Sequence, residues 1–283
     1  MKTLVKMAFL LLPVTLIGFS CSVNETNTKA AKKLGWEIGF QAYTFKEFSF
    51  AEALEKGKSL GLKYVEAYSG QDIEAGIEGI THFTMDDETI RKVKNLLKES
   101  GIKVKSYGVV NGKDEEEWRQ IFEFAKTMGI ETITSEPAPE HLDLVEQLCD
   151  EFEINVAIHN HPKPSRYWDP QIVLKALEGR SKRLGVCADT GHWLRSGLNP
   201  VECLKKLEGR IQNLHFKDLN EKEPEAHDVP WGTGVCDVPA VLKELKRQNF
   251  KGLFNIEYEH NWLNSLPEIE QCIDNFYRIA SEI

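Results

Sequence analysis

Leu184-Gly185-Val186-Cys187-Ala188-Asp189 is a short apolar run closed by a carboxylate, and Thr190-Gly191-His192 follows at once. Apolar strands do not usually give way to a loop through an ionisable side chain by chance. The pattern repeats on both sides of this stretch, with Glu136, His159 and His161, His215 and Glu257 at the ends of comparable runs. Read outward, the spacing predicts strands over 37–44, 63–69, 103–110, 131–136, 155–161, 184–189, 211–218 and 253–259. Between them lie amphipathic segments. Gly61, Gly101, Gly129, Gly185 and Gly252 each precede an apolar strand start, as a left-handed helix cap feeding a strand would require. Helix starts are marked by capping-box spacing from Ser49 to Glu52 and from Ser265 to Glu268, and by the pairs Asp169-Pro170 and Asn199-Pro200. The heptapeptide 174–180 returns as 204–210, a repeat best explained by a shared way of ending a helix. Eight strands alternating with helices mean an α/β fold, a closed parallel (β/α)8 barrel.

Side chains alternate across a strand, so His159 and His161 share a face, as do Cys187 and Asp189, and Asn213, His215 and Lys217. Ile158, Val186 and Leu214 then face the helices. The same parity turns Glu136, Glu257 and Glu259 inward at the carboxyl end of the strands, where barrel enzymes keep their chemistry. Carboxylates and imidazoles gathered there are the ligand set of a divalent metal: Mn first, with Mg, Co or Zn as alternatives. Trp168, Trp193, Trp231 and Trp262, with Tyr43 and Tyr167, fall in the loops at this rim, and flat aromatic faces suit the apolar face of a sugar ring. Gln41, Tyr43, Glu66, Trp168, Trp193, Lys217, His227, Trp231 and Glu259 are the expected substrate contacts. Glu66 reads equally as an ion-pair partner of Lys217 or Lys105, and Lys217 as a partner of Glu259.

The succession Ser-Glu136-Pro, Ile-His159-Asn-His161-Pro, Ala-Asp189-Thr-Gly-His192, Asn-Leu-His215-Phe-Lys-Asp and Asn-Ile-Glu257-Tyr-Glu resembles the sugar isomerase and epimerase superfamily with xylose isomerase-like TIM barrels, from about Trp36 to the end. The resemblance implies that Asp189, His215 and Glu257 hold a divalent metal and that His192 contacts the substrate. Gly232-Thr-Gly234 resembles the family's glycine-rich turn before the final helix. Many epimerases of the family carry a metal-binding Glu on the fifth strand. This chain has His159 there, and either His159 or Glu136 could complete the shell. The His-Asn-His form resembles the inosose dehydratase-like branch.

Such a metal acidifies the C–H bond beside a carbonyl and stabilises an enediolate. Glu257 is the first candidate for the base, with Glu136, His161 and His192 as partners. Isomerisation or epimerisation of a keto or aldo sugar is the leading expectation. Dehydration, hydration or elimination of a 3-keto sugar or inosose follows it, then a carbohydrate-binding protein without catalysis. The oligomeric state is left open.

Lys2 and Lys6, an apolar run over 7–19 and Ser20-Cys21 read as an export signal of lipoprotein type over residues 1–20. Cys21 is then the lipid attachment site, 21–35 a polar tether and 36–283 one barrel domain, held in the periplasm on a bacterial membrane only by its lipid. Cleavage by an ordinary signal peptidase is the alternative. Loss of Lys2 and Lys6 takes the formal charge from −9 to −11, which argues against nucleic-acid binding, a basic-surface activity. Cys149, Cys187, Cys203, Cys236 and Cys272 are widely spaced in apolar segments and read as buried thiols.

Overall fold

The computed structural model describes residues 25–283, so the leader and Cys21 lie outside the described residues. Eight strands close into a parallel barrel: β1 Trp36–Gln41, β2 Tyr64–Ala67, β3 Lys103–Tyr107, β4 Thr132–Ser135, β5 Asn155–His159, β6 Leu184–Asp189, β7 Ile211–Phe216 and β8 Gly252–Ile256. They neighbour one another in chain order, and β8 closes on β1. The strands are shorter than the sequence suggests, because the polar residues at several carboxyl ends, among them His161 and Glu259, already belong to the loops. Register brings the chemistry together: Asp189 lies opposite His215, His215 opposite Asn255, and His159 opposite Cys187.

The helices form where the cap signals stand. Ser49 makes a complete capping box with Glu52, and Asp169 and Asn199 cap the proline-led helices Pro170–Ala176 and Pro200–Lys206. Gly179 and Gly209, the glycines of the repeated heptapeptide, both adopt positive φ just beyond those helices, so the repeat is one helix-ending geometry used twice. Ser265 makes no side-chain cap, and Gly185 lies within β6. A two-stranded hairpin, Asp72–Glu74 with Ile77–Ile80, is inserted after β2 and was not expected. The segment expected to be a tether is helical over Glu25–Leu34, with Ala31 buried. The five cysteines from Cys149 onward are buried and free.

Aromatic packing fixes the barrel wall near the last strands. Phe254 lies 5.5 Å from Trp36, 5.4 Å from Phe216 and 4.8 Å from Phe276 between ring centres, and Trp231 packs on Phe216 at 4.7 Å. Trp231 therefore pins the long seventh loop to the barrel. Asp218 holds the other end of that loop, accepting hydrogen bonds from the backbone N–H groups of Gly232, Gly234 and Cys236 at 2.8, 2.9 and 2.8 Å. A side chain at 234 would place its Cβ 2.2 Å from the Leu219 carbonyl oxygen, which accounts for the second glycine of Gly232-Thr-Gly234. Asp218→Ala leaves these donors unpaired and should cost about 2–4 kcal/mol. Chemical denaturation, with hydrogen exchange read at 232–236, checks this; unchanged stability and protection would contradict it.

Candidate functional site

Asp189 ends β6 and starts the next helix. Its Oδ1 accepts from the His192 backbone N–H at 2.6 Å, which leaves Oδ2 facing the barrel axis. Asn160 clamps the Asp189 backbone from β5: its Oδ1 accepts from Asp189 N at 2.9 Å and its Nδ2 donates to Asp189 O at 3.0 Å. The two imidazoles beside it are each held from behind by a carboxylate. His215 Nε2 lies 2.9 Å from Glu66 Oε1, so this nitrogen carries a proton; Nδ1 lies 3.1 Å from Glu257 Oε2, and although burial opposes the charge, the groups around the ring, Glu257 and Glu66 among them, raise its pKa well above its ordinary value. His159 Nδ1 lies 3.4 Å from Glu136 Oε1, and its Nε2 points toward Asp189 Oδ2 at 3.5 Å. Carboxylates behind imidazoles in this way fix ring orientation and tautomer at metal sites.

The result is an unusual set of loose ends. His159 Nε2, Asp189 Oδ2, His215 Nδ1 and Glu257 Oε2, one atom from each of four successive barrel segments, are all buried without an aligned hydrogen-bond partner. Burying a polar atom unpaired costs roughly 1–3 kcal/mol, more for a charge, so four converging on one point call for a cation. Their 3.1 and 3.5 Å separations approach the edges, about 3.0–3.4 Å, of a shell with metal bonds of about 2.1 Å. Donor atoms of His159, Asp189, His192 and Glu257 lie within 4.8 Å of one another, a group with His192 in the place of His215, whose Nδ1 joins the set through its 3.1 Å approach to Glu257. The residues fit a divalent metal.

Lys217 supplies one positive charge from the same floor. Its Nζ is 2.9 Å from Asp189 Oδ2, 2.6 Å from Glu257 Oε2 and 3.0 Å from Glu259 Oε2, and the aligned hydrogen bond goes to Glu259. Burial would push Asp189 and Glu257 up, but His192 and Lys217 around Asp189, and His215 and Lys217 around Glu257, hold both well below the carboxylate range. Burial likewise opposes the Lys217 charge, and its carboxylates outweigh that and raise it well above the usual lysine value. Glu136, despite partial burial, is held low by His159 and His161. Burial pushes His192 well below its ordinary value.

Above this floor opens a cavity of about 390 Å³, within the usual range for a small ligand. Gln41, Tyr43, Tyr68, Asn111, His161, His192, Glu257 and Glu259 contribute to its wall. His161 bonds through Nδ1 to Glu136 Oε1 at 2.6 Å, and its half-exposed ring turns the other nitrogen outward.

A family model described as xylose isomerase-like TIM barrel matches residues 54–278. The chain belongs to the xylose isomerase-like TIM barrel family. An uncharacterized protein from Parabacteroides distasonis ATCC 8503 is 38% identical, with a TM-score of 0.71 over 86% of this chain and 98% of that one. Inosose dehydratase from Clostridium botulinum (strain Eklund 17B / Type B) is 30% identical over 136 residues, 42% of this chain and 45% of that protein, so the chain spans less than half of this curated relative. A D-tagatose 3-epimerase-like protein shares the fold at 18% identity, with a TM-score of 0.68 over 87% of this chain and 98% of that one.

Within this family barrel, the expected site residues divide into groups. His159, Asp189, His192, His215 and Glu257 meet at the strand ends, and Glu136 stands behind His159 and His161. Of the expected substrate contacts, Gln41, Tyr43 and Glu259 line the cavity, while Lys217 lies beneath it, consumed by its carboxylates. Expectations for six residues need correction. Glu66 is fully buried in the barrel interior and pairs with neither Lys217 nor Lys105; besides His215 it accepts from Gln41, Ser106, Asn213 and Asn255. Trp193 and Trp231 are buried core residues, as is Tyr167. His227 is exposed and stacks on His260, 4.4 Å between ring centres. Trp168 is absent from the cavity wall and packs beneath Lys163. Loop position alone did not distinguish tryptophans that line a site from those that bury a loop.

The sequence reading missed Asn160, Tyr68, Asn111 and Arg195. Tyr68 lies 5.2 Å from Tyr43, which in turn meets Trp262 at 5.8 Å, so an aromatic edge does exist, built partly from the second strand's end. Strand parity could have found Tyr68, two residues beyond Glu66, whereas Asn111 lies past its strand and shares the parity of Tyr107, which packs on Phe124. Arg195 carried no such signal, because its role depends on how a short helix turns.

Asp189→Asn and His215→Gln are expected to abolish stoichiometric metal retention with the circular dichroism spectrum unchanged, and Glu66→Gln to weaken it about 10–100-fold. Metal analysis after gel filtration reads the outcome, and full retention in the first two variants would contradict the geometry.

Proposed function

We propose that this chain is a metal-dependent enzyme that removes the proton beside the carbonyl of an uncharged polyhydroxylated substrate and expels a neighbouring hydroxyl, a dehydratase or lyase. The observation that carries this reading is the pairing of four buried donor atoms without aligned hydrogen bonds, from His159, Asp189, His215 and Glu257, with the His161–Glu136 dyad on the cavity wall. His159, and not Glu136, is then the fourth ligand. A divalent metal bound there supplies Lewis-acid polarisation of a carbonyl and its adjacent hydroxyl.

The chain's own groups supply the proton traffic. Glu257 borders both the donor cluster and the cavity and is the base for the C–H proton; that bond's electron pair moves toward the carbonyl oxygen. When the pair returns, the bond to the β-hydroxyl breaks, and a proton from the outward nitrogen of His161 lets it leave as water. Glu136 holds that imidazole by its Nδ1–H. Lys217 lies between Glu257 and Glu259, 2.6 and 3.0 Å from their Oε2 atoms. The matched relative named inosose dehydratase supports elimination, although the match covers under half of it.

Isomerisation or epimerisation of a keto or aldo sugar is the second reading. Glu257 and His161 approach the cavity from β8 and β5, so a proton taken by one can be returned by the other. Either way, the wall favours a neutral substrate: among the described residues it bears Glu257 and Glu259 and no lysine or arginine to hold a phosphate. The leader supports export and lipid attachment at Cys21, hence a sugar met outside the cytoplasm.

Incubation of the Mn²⁺-loaded protein with keto sugars and inososes in D₂O tests this. Deuterium at the α-carbon of recovered substrate, with a product lighter by one water that has lost the α-hydrogen, is the expected result. Labelled product of unchanged formula favours the second reading, and no exchange with any member contradicts an enzyme. Phosphorylated counterparts of the substrate should show kcat/KM at least about ten-fold lower. Cys21→Ser should move the protein from the membrane to the soluble fraction; an unchanged distribution would remove the lipid-anchor reading.

A further inference from the structure

His192 stands among the metal-competent donors, with Nε2 3.5 Å from Asp189 Oδ2, yet its other nitrogen is already engaged. Arg195, one turn along the same short helix, places Nη1 3.1 Å from His192 Nδ1. A guanidinium is always protonated and has no acceptor, so Nδ1 must be the bare nitrogen. With Nδ1 bare, the ring proton lies on Nε2. The ring itself lines the cavity.

A competing donor has to be weighed. Lys217 Nζ lies 3.5 Å from His192 Nε2, and if it donated there the tautomer would reverse. That contact is at the outer limit of a hydrogen bond, and the same ammonium has three carboxylate oxygens at 2.6 to 3.0 Å. Arg195 is also far more constrained. Its Nη1 donates to Glu259 Oε2 at 2.8 Å, Nη2 to Asp228 Oδ2 at 3.2 Å, and Nε to the Ala226 carbonyl at 3.2 Å. Four contacts hold the planar fork, two of them from the seventh loop, so it cannot swing away from the imidazole without unseating that loop.

We infer that Arg195 is a positioning residue that locks His192 in its Nε2–H tautomer, so that His192 serves the site as a hydrogen-bond donor to a substrate oxygen and is not a metal ligand. The use of that N–H rests on the function proposed above; the tautomer does not. The seventh loop acquires a role by the same route, because Ala226 and Asp228 set the angle of the guanidinium that sets the imidazole.

Long-range ¹H–¹⁵N spectra of histidine-labelled protein, metal-free and Zn²⁺-loaded, read the tautomer, with His192 assigned by its loss in His192→Gln. Wild type should show a protonated Nε2 and a bare Nδ1 in both states. Arg195→Met should mix the two tautomers, while Arg195→Lys, which keeps a donor, should stay closer to wild type. In calorimetric titrations with Zn²⁺ alone, His192→Gln should keep its affinity within about three-fold, whereas His159→Gln should lose at least about ten-fold. A bare Nε2 in wild type, or a loss in His192→Gln equal to that in His159→Gln, would overturn the inference. If neither variant alters Zn²⁺ binding while the spectrum shows Nε2–H, the metal reading falls and the tautomer assignment stands.

Discussion

Four buried side chains turn donor atoms toward one another at the carboxyl end of the barrel, none of them with an aligned hydrogen-bond partner. Two carboxylates and two imidazoles that give up a proton make a ligand set for one cation. Lys217 offsets part of the repulsion by lying against both carboxylates, but it does not reach either imidazole. The backing carboxylates make this deliberate in structural terms. Glu66 beneath His215 and Glu136 behind His159 commit the far nitrogen of each ring to its proton, which leaves the near nitrogen as the one that can yield its proton to a metal. Much of the polar barrel interior exists to hold Glu66 in place: Gln41, Ser106, Asn213 and Asn255 all donate to it.

The barrel was legible because its signals are local. Cap residues, left-handed glycines and alternating apolar runs each declare an element within a few residues, and strand parity carries them to the inward-facing set His159, Asp189, His215 and Glu257. Exact strand ends were less legible, since the last polar residues already leave the sheet. The hairpin 72–80 escaped because its strands, Asp72–Glu74 and Ile77–Ile80, are too short to show a period. Helix Glu25–Leu34 escaped because its polar composition resembles that of a linker.

The part of the site that sequence concealed depends on orientation. Glu66 follows the same parity as the ligands, yet it sits deeper, so it meets their backs and not a substrate. Trp193 and Trp231 occupy the same loops as cavity residues, but packing against the barrel wall removes them from the opening. Asn160 lies between two histidines that drew all the attention, and its side chain clamps the next strand. Arg195 follows the recognised Asp-x-x-His motif by three residues, one helical turn beyond His192, and only the turn of a six-residue helix brings it back to that ring.

X-ray absorption at the zinc edge of the Zn²⁺-loaded protein puts the central claim to its most direct test. Two imidazole and at least two carboxylate scatterers at about 2.0–2.2 Å are expected. A shell of water oxygens alone, or zinc that washes out before measurement, would contradict a metal held at the meeting point of β5 to β8.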